Sequence, residues 1–270
     1  VAVTVGPVTI GGGQPFAWIA GPCVLEDADE ALALAAALAD IARRAGVPFV
    51  FKASFDKANR TSGTAYRGPG LADGLALLAR IRREIGVPVT TDIHEPDQAE
   101  PVAAVVDLLQ IPAFLSRQTD LVVAAARTGR PVNIKKGPFA APKDLQHAVA
   151  KAQAAGDGGA LVTERGTTFG YGDLVVDLRG LPILRAAAPV VLDVTHACQR
   201  PAAEGDRSGG DRSFAAALGR AGLAVGVDAI FSEVHPDPDR ARSDAATQLP
   251  LAAVPAILDG WRRVADALAR

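Results

Sequence analysis

The chain has 270 residues, with 28 lysine and arginine side chains against 30 aspartate and glutamate, 49% apolar residues and 5% aromatics. That balance excludes intrinsic disorder, and a formal net charge of -2 excludes the long-range positive field of a general nucleic-acid binder or membrane-surface protein. Two cysteines, Cys23 and Cys198, are too few for a disulfide framework, and no basic-then-apolar leader opens the sequence, so the expected location is the cytoplasm.

In chain order, the opening VAVTVGPVTIGGG (1–13) alternates apolar residues around Gly6-Pro7 and predicts a small hairpin. Short apolar, β-branched runs then alternate with longer Ala/Leu-rich amphipathic runs. Strands are predicted at 16–20, 48–54, 87–93, 106–112, 131–137, 159–165, 189–195 and 229–235. A helical pattern follows each one. The first, 28–45, opens on Asp27 with Glu30 three residues on, a capping-box spacing, and closes at Gly46, while the last runs from about 252 to 269. Charge, Gly or Pro interrupts every apolar stretch well short of the roughly 20 residues a membrane helix needs. No linker divides the chain, so 1–270 reads as one catalytic domain. The fold class is α/β, a (β/α)8 TIM barrel whose N-terminal β-hairpin covers the bottom, with a doubly wound open sheet as the alternative.

Side chains alternate faces along a strand, so Val50, Lys52 and Ser54 share one face, as do Thr90, Asp92 and His94. The same parity groups Gln110 with Leu108, Lys135 with Asn133, Arg165 with Thr163, and Asp193 with Val191. Each face begins apolar and ends polar. Burying lone charges is costly, and barrel active sites lie at the C-terminal ends of the strands, so the repetition points to one site there. Lys52, Lys57, Arg60, Lys135 and Arg165 concentrate positive charge and suit a substrate carrying more than one phosphate or carboxylate. Gly11-Gly12-Gly13 and Gly209-Gly210 match no P-loop, and no GxGxxG opens a helix after a strand.

Cys23, His196, Glu233 and Asp244 form a second set at or beyond the ends of strands one, seven and eight. Thiolate, imidazole and carboxylates suit a borderline divalent ion. A buried free cysteine among unrelated loop residues is the alternative, with His94 and His235 as rival ligands and Cys198 as a rival thiol. His147 is expected on a helix, facing solvent.

The motifs GPCVLED (21–27), FKASFDKANRTS (51–62), TDIHEP (91–96), QIPAFLSRQTDL (110–121), NIKKG (133–137), ERGTTFGYGDLVVD (164–177), DVTHACQ (193–199), SGGDRSF (208–214) and HPDPDRARSDAATQLPL (235–251) follow one another along nearly the whole chain. Together they closely resemble the 3-deoxy-D-manno-octulosonate 8-phosphate synthase family, for which KASFDKANR is highly specific. The resemblance implies condensation of phosphoenolpyruvate with D-arabinose 5-phosphate and water, releasing phosphate and forming a sugar acid phosphate for lipopolysaccharide.

It further implies that Lys135 and Arg165 hold the phosphoenolpyruvate phosphate, with Lys57 near its carboxylate. Lys52, Asn59, Arg60 and Thr61 are implied on the arabinose 5-phosphate side, and Ser54 and Gln110 join the substrate-binding candidates from their strand faces. Arg117 is implied to reach the sugar phosphate of a neighbouring subunit in a homotetramer. Asp92, His94 and Asp193 are candidates for proton traffic or water orientation, and with Lys57 and Lys135 they complete the expected catalytic set.

One branch of the family has Cys, His, Glu and Asp ligands where this chain has Cys23, His196, Glu233 and Asp244, implying one divalent zinc, iron(II) or manganese ion. The metal-free branch has Asn at the Cys23 position. Two departures stand out: Pro138 replaces the usual glutamine of KKGQF, and the 200–208 loop is atypical. An erythrose 4-phosphate-condensing synthase and a catalytically silent sugar-phosphate-binding barrel are the rival readings.

Overall fold

The computed structural model describes residues 1–60, 62–170, 172–204 and 207–269, with the side chains of 201–208 outside that description. Its centre is a closed parallel barrel of strands β1 (Ala17–Gly21), β2 (Phe49–Lys52), β3 (Val89–Asp92), β4 (Leu108–Ile111), β5 (Val132–Lys135), β6 (Ala160–Glu164), β7 (Val190–Asp193) and β8 (Ala229–His235). Each strand pairs with the next, and β8 returns to β1 with Phe231 opposite Ile19 and Glu233 opposite Gly21. The open-sheet alternative is therefore excluded. Closure leaves the central strands without exposed edges.

Helices α1 (Ala28–Ala45), α2 (Leu71–Ile85), α3 (Ala99–Ala103), α4 (Thr119–Arg127), α5 (Leu145–Ala155), α6 (Gly180–Arg185), α7 (Ala215–Val225) and α8 (Val254–Leu268) surround the strands. The expected start of α1 is confirmed: Asp27 Oδ1 accepts the backbone N–H groups of Asp29 (2.9 Å) and Glu30 (3.0 Å), two of the donors a helix start leaves without partners. Gly46, at φ 68°, closes it. His147 is exposed on α5, as expected.

Strand parity builds two separate apolar regions. Outward residues such as Trp18, Phe51, Val162 and Leu192 pack beneath the helices. Inward residues Ala17, Ile19, Val50, Leu108, Leu161, Val191, Ala229 and Phe231 fill the lower barrel, where they meet Val3, Val5, Val8 and Ile10 of the N-terminal hairpin. That hairpin, Ala2–Val5 against Val8–Gly11, is the expected bottom cover. The strand starts are pinned twice by one device. Asp107 pairs with Arg82 (2.7 Å) and accepts Val89 N–H (3.0 Å), while Asp228 pairs with Arg185 (3.0 Å) and accepts Val190 N–H (2.8 Å).

Three short features depart from a plain strand-helix alternation. The chain after β6 forms a small ladder of Thr167–Thr168 with Leu174–Val175, and the chain after β7 forms a hairpin of Gln199–Glu204 with Arg207–Gly210. Leu249–Pro250 also adds to the end of β8. All three lie in the connections above the C-terminal strand ends, where extra residues enlarge the mouth without disturbing the barrel.

The hairpin's role as a plug yields a stability prediction. Ile10 is fully buried, so Ile10→Ala is expected to cost about 2–5 kcal/mol, whereas Thr4→Ala, on the exposed face, should change stability by less than about 0.5 kcal/mol. Denaturant unfolding of both variants checks this, and equal small losses would contradict a plug.

Candidate active site

Above the apolar lower layer, the inward positions turn polar. Lys52, Asp92, Gln110, Asn133, Lys135, Thr163, Arg165, Asp193 and Glu233 are all buried, and Phe231 forms an aromatic floor with Lys135 Nζ 4.1 Å from its ring centre. Such a layer is tolerable only if its members satisfy one another. On one side they do so as a directed chain. Thr163 Oγ1 donates to Asn133 Oδ1 (2.6 Å), Asn133 Nδ2 to Gln110 Oε1 (3.1 Å), and Gln110 Nε2 to Asp92 Oδ1. From the other direction Lys57 Nζ donates to Ser54 Oγ (3.0 Å), and Ser54 Oγ to Asp92 Oδ2 (2.6 Å). Every donor points toward Asp92. Burial alone would raise its pKa, but Lys52 and Lys57 outweigh burial and hold the carboxylate well below the usual range.

Opposite lies a second network around Asp193. Its Oδ2 accepts from Lys135 Nζ (2.5 Å) and from His196 Nδ1 (2.7 Å), and its Oδ1 accepts the backbone N–H groups of Thr195 (3.0 Å) and His196 (2.9 Å). Burial opposes ionisation of Asp193, yet His196 and Lys135 keep it strongly acidic; burial likewise opposes the imidazolium at His196, yet Asp193 raises its pKa overall. Because a carboxylate only accepts, Nδ1 of His196 carries a hydrogen, and Nε2 is the nitrogen turned toward Glu233 and Asp244.

That nitrogen is 3.7 Å from Glu233 Oε1 and 3.6 Å from Asp244 Oδ2. The Cys23 Sγ, Glu233 and Asp244 ligand atoms lie within 4.8 Å of one another, and Cys23 Sγ is 3.2 Å from Asp244 Oδ2. Glu233 divides its oxygens: Oε1 takes Lys52 Nζ (2.8 Å), while Oε2 is buried without a partner. Burial raises the Cys23 thiol pKa, and Asp244 and Glu233 raise it further. An orphaned carboxylate oxygen, a thiol crowded by anions and an oriented imidazole are the conditions a bound cation would relieve, so these residues fit a divalent ion. Asp244 adopts φ 48°, in the left-handed region that favours glycine but that aspartate tolerates, at the point where its carboxylate turns inward.

The rival ligands are not in this cluster. Cys198 donates to Val194 O (3.1 Å), and burial pushes its thiol up to about 12. His235 Nδ1 accepts Asp237 N–H (3.1 Å), and His94 stands edge-on to Phe55 with its Nδ1 buried and unpartnered. Burial lowers the His94 pKa, leaving a neutral imidazole beside Asp92.

Arg165 differs from the other buried cations. Its Nη2 donates to Gln199 Oε1 (2.9 Å), but its Nε is buried without a partner, and it forms no ion pair among the described residues. Lys57 is mostly buried and reaches to 3.9 Å from Asp92 and 4.0 Å from Glu233. Arg60 reaches across the mouth to Ser243 Oγ (2.6 Å) and Arg242 O (2.7 Å). Asn59 is exposed at the rim, Arg117 is exposed beyond β4, and Thr61 lies outside the described residues.

Gln199, Ser243 and Gln248 enter the site without having been singled out in the sequence. Gln199 braces Arg165, Ser243 accepts from both Cys23 Sγ (3.1 Å) and Arg60, and Gln248 Oε1 accepts Cys23 N–H (3.2 Å). Their one signal was membership of the DVTHACQ and HPDPDRARSDAATQLPL motifs. Gly21 is needed for the same junction, since a Cβ there would lie 1.9 Å from the Lys52 carbonyl oxygen.

A parallel barrel with paired anions, an unpaired arginine and a thiol-carboxylate cluster at its C-terminal mouth defines a class of anion-processing (β/α)8 enzymes. The sequence profile of the DAHP synthetase I family matches residues 1–269, and the chain belongs to that family. Among curated relatives, the 2-dehydro-3-deoxyphosphooctonate aldolase of Syntrophotalea carbinolica is 57% identical over 92% of this chain and 90% of its own length. The proteins of the same name from Magnetococcus marinus and Geotalea daltonii are 54% and 49% identical, covering 95% and 99% of this chain and 90% and 98% of their own lengths.

The cluster predicts a spectroscopic result. Cobalt(II) added to metal-free protein is expected to saturate with a thiolate-to-cobalt charge-transfer absorption, lost in Cys23→Ser. The same absorption in Cys23→Ser would contradict this ligand set.

Proposed function

We propose that the chain condenses phosphoenolpyruvate with D-arabinose 5-phosphate and water, giving 3-deoxy-D-manno-octulosonate 8-phosphate and inorganic phosphate for lipopolysaccharide synthesis. The observation that carries this reading is Arg165: a buried guanidinium with an orphaned Nε, no carboxylate partner, and Lys135 on the adjacent strand. Guanidinium and ammonium together suit a phosphoryl group, which supplies the missing acceptors. Full-length relatives bearing the aldolase name support the same reading.

In the reaction the C3 electron pair of phosphoenolpyruvate bonds to the aldehyde carbon, and the aldehyde oxygen takes a proton. Water oxygen bonds to C2 and gives up its two protons, one to balance that on the new hydroxyl and one to the departing phosphate, as the C2–oxygen bond to phosphate breaks and C2 becomes a ketone. Lys135 and Arg165 are assigned to the phosphate and Lys57 to the carboxylate. Lys52, Ser54, Asn59, Arg60, Thr61 and Gln110 belong to the sugar phosphate side and its supports. Holding two anions in register lowers the barrier by several kcal/mol through positioning. Asp92, fixed by Ser54 and Gln110, and Asp193, fixed by its backbone donors, are assigned to orienting protons and water, with neutral His94 beside Asp92.

Cys23, His196, Glu233 and Asp244 are the ligands for one divalent zinc, iron(II) or manganese ion. When bound, such an ion supplies Lewis acidity toward a water or a sugar hydroxyl. Exposed Arg117, with exposed Phe114 three residues before it, suits a reach into a neighbouring subunit of a homotetramer. A cytoplasmic catalytic domain spanning 1–270 agrees with this reading, and no helix among the described residues is long and apolar enough to cross a membrane.

Phosphate release is expected only when both phosphoenolpyruvate and arabinose 5-phosphate are present, and Arg165→Ala should reduce turnover about a hundredfold or more. Equal or better turnover with erythrose 4-phosphate would contradict the assignment.

A further inference from the structure

Behind Lys135 and Arg165, on the outer side of the sheet, lies a charged pair that the reaction does not touch. Adjacent strand residues face opposite ways, so Lys136 and Glu164 point between the strands and the helices, where they are 0% and 2% exposed. Lys136 Nζ lies 3.4 Å from Glu164 Oε1. The same ammonium donates to Thr167 Oγ1 (3.0 Å), Gly166 O (3.2 Å) and Gly137 O (3.3 Å), and it reaches Ala140 O at 3.5 Å. It thereby fastens the turn after β5 to the turn after β6.

Glu164 acts on the second turn directly. Its Oε1 accepts the backbone N–H groups of Arg165 (3.0 Å) and Gly166 (2.7 Å). Gly166 stands at φ 92°, and a Cβ there would approach Leu174 Cβ to 2.9 Å, so the turn that Glu164 caps is one that favours glycine. Each cation assigned to the phosphate is therefore the chain neighbour of one member of the pair. A buried ion pair adds little stability over well-packed apolar groups, so stability alone does not account for its position.

We propose that Lys136 and Glu164 are positioning residues that hold the ends of β5 and β6 so that Lys135 and Arg165 converge on one phosphoryl group. This rests on the phosphoenolpyruvate assignment above. It also gives the second lysine of NIKKG a role distinct from contact with substrate.

The test is steady-state kinetics and direct phosphoenolpyruvate titration of metal-loaded Lys136→Met, Glu164→Gln and the apolar double variant Lys136→Met/Glu164→Leu. Each folded variant is expected to raise KM for phosphoenolpyruvate by about tenfold or more while KM for arabinose 5-phosphate stays within about twofold. The double variant leaves the Arg165 and Gly166 N–H groups without their acceptor and is expected to melt below wild type, so the readout that a purely structural pair would not move is a rise confined to KM for phosphoenolpyruvate. Unchanged KM for phosphoenolpyruvate in the folded variants, or equal rises in both KM values, would overturn the proposal. Wild-type protein is measured in parallel: binding without condensation would fail the functional reading, whereas normal condensation with indifferent variants would fail this inference alone.

Discussion

Ionised side chains inside a closed barrel have no water to solvate them, and the upper half of this barrel is built around that constraint. Asp92 faces Ser54, Gln110 and Lys57; Asp193 faces Lys135 and His196; Glu233 faces Lys52. These contacts keep the carboxylates charged against a burial penalty that would otherwise protonate them. Where compensation stops at a charged group, the proposed function puts a ligand. The orphaned atoms of Arg165 and Glu233 mark two such places, one wanting an anion and the other a cation.

The remainder of the fold keeps that layer rigid. The hairpin fills the lower barrel with valine and isoleucine, so the polar layer rests on a close-packed floor. Arg82–Asp107 and Arg185–Asp228 pin strand starts at one end, and Lys136–Glu164 joins strand ends at the other. Preorganisation of this kind lets charges act on a substrate without first rearranging.

Period-two alternation made most of this layer legible in the sequence. Lys52, Ser54, Asp92, Gln110, Lys135 and Asp193 fall on the inward face because strand geometry leaves them no other choice. The same parity sends Lys136 outward, although NIKKG viewed as a motif suggests two equivalent lysines. Gln199, Ser243 and Gln248 were not legible, since they sit in irregular connections and meet partners 34, 220 and 225 residues away in sequence. No local periodicity encodes such contacts. The hairpin at 199–210 was likewise hidden: Gly205-Asp206 is a permissible two-residue turn sequence, but the residues flanking it carry no clear apolar-polar alternation to mark them as strands.

A crystal structure of the protein with bound phosphoenolpyruvate would show directly what meets the orphaned Arg165 Nε. The phosphoryl group is expected between Lys135 Nζ and Arg165, with the Arg165 Nε now donating to a phosphate oxygen. Phosphoenolpyruvate bound elsewhere, with the Arg165 Nε still unpartnered, would contradict that placement.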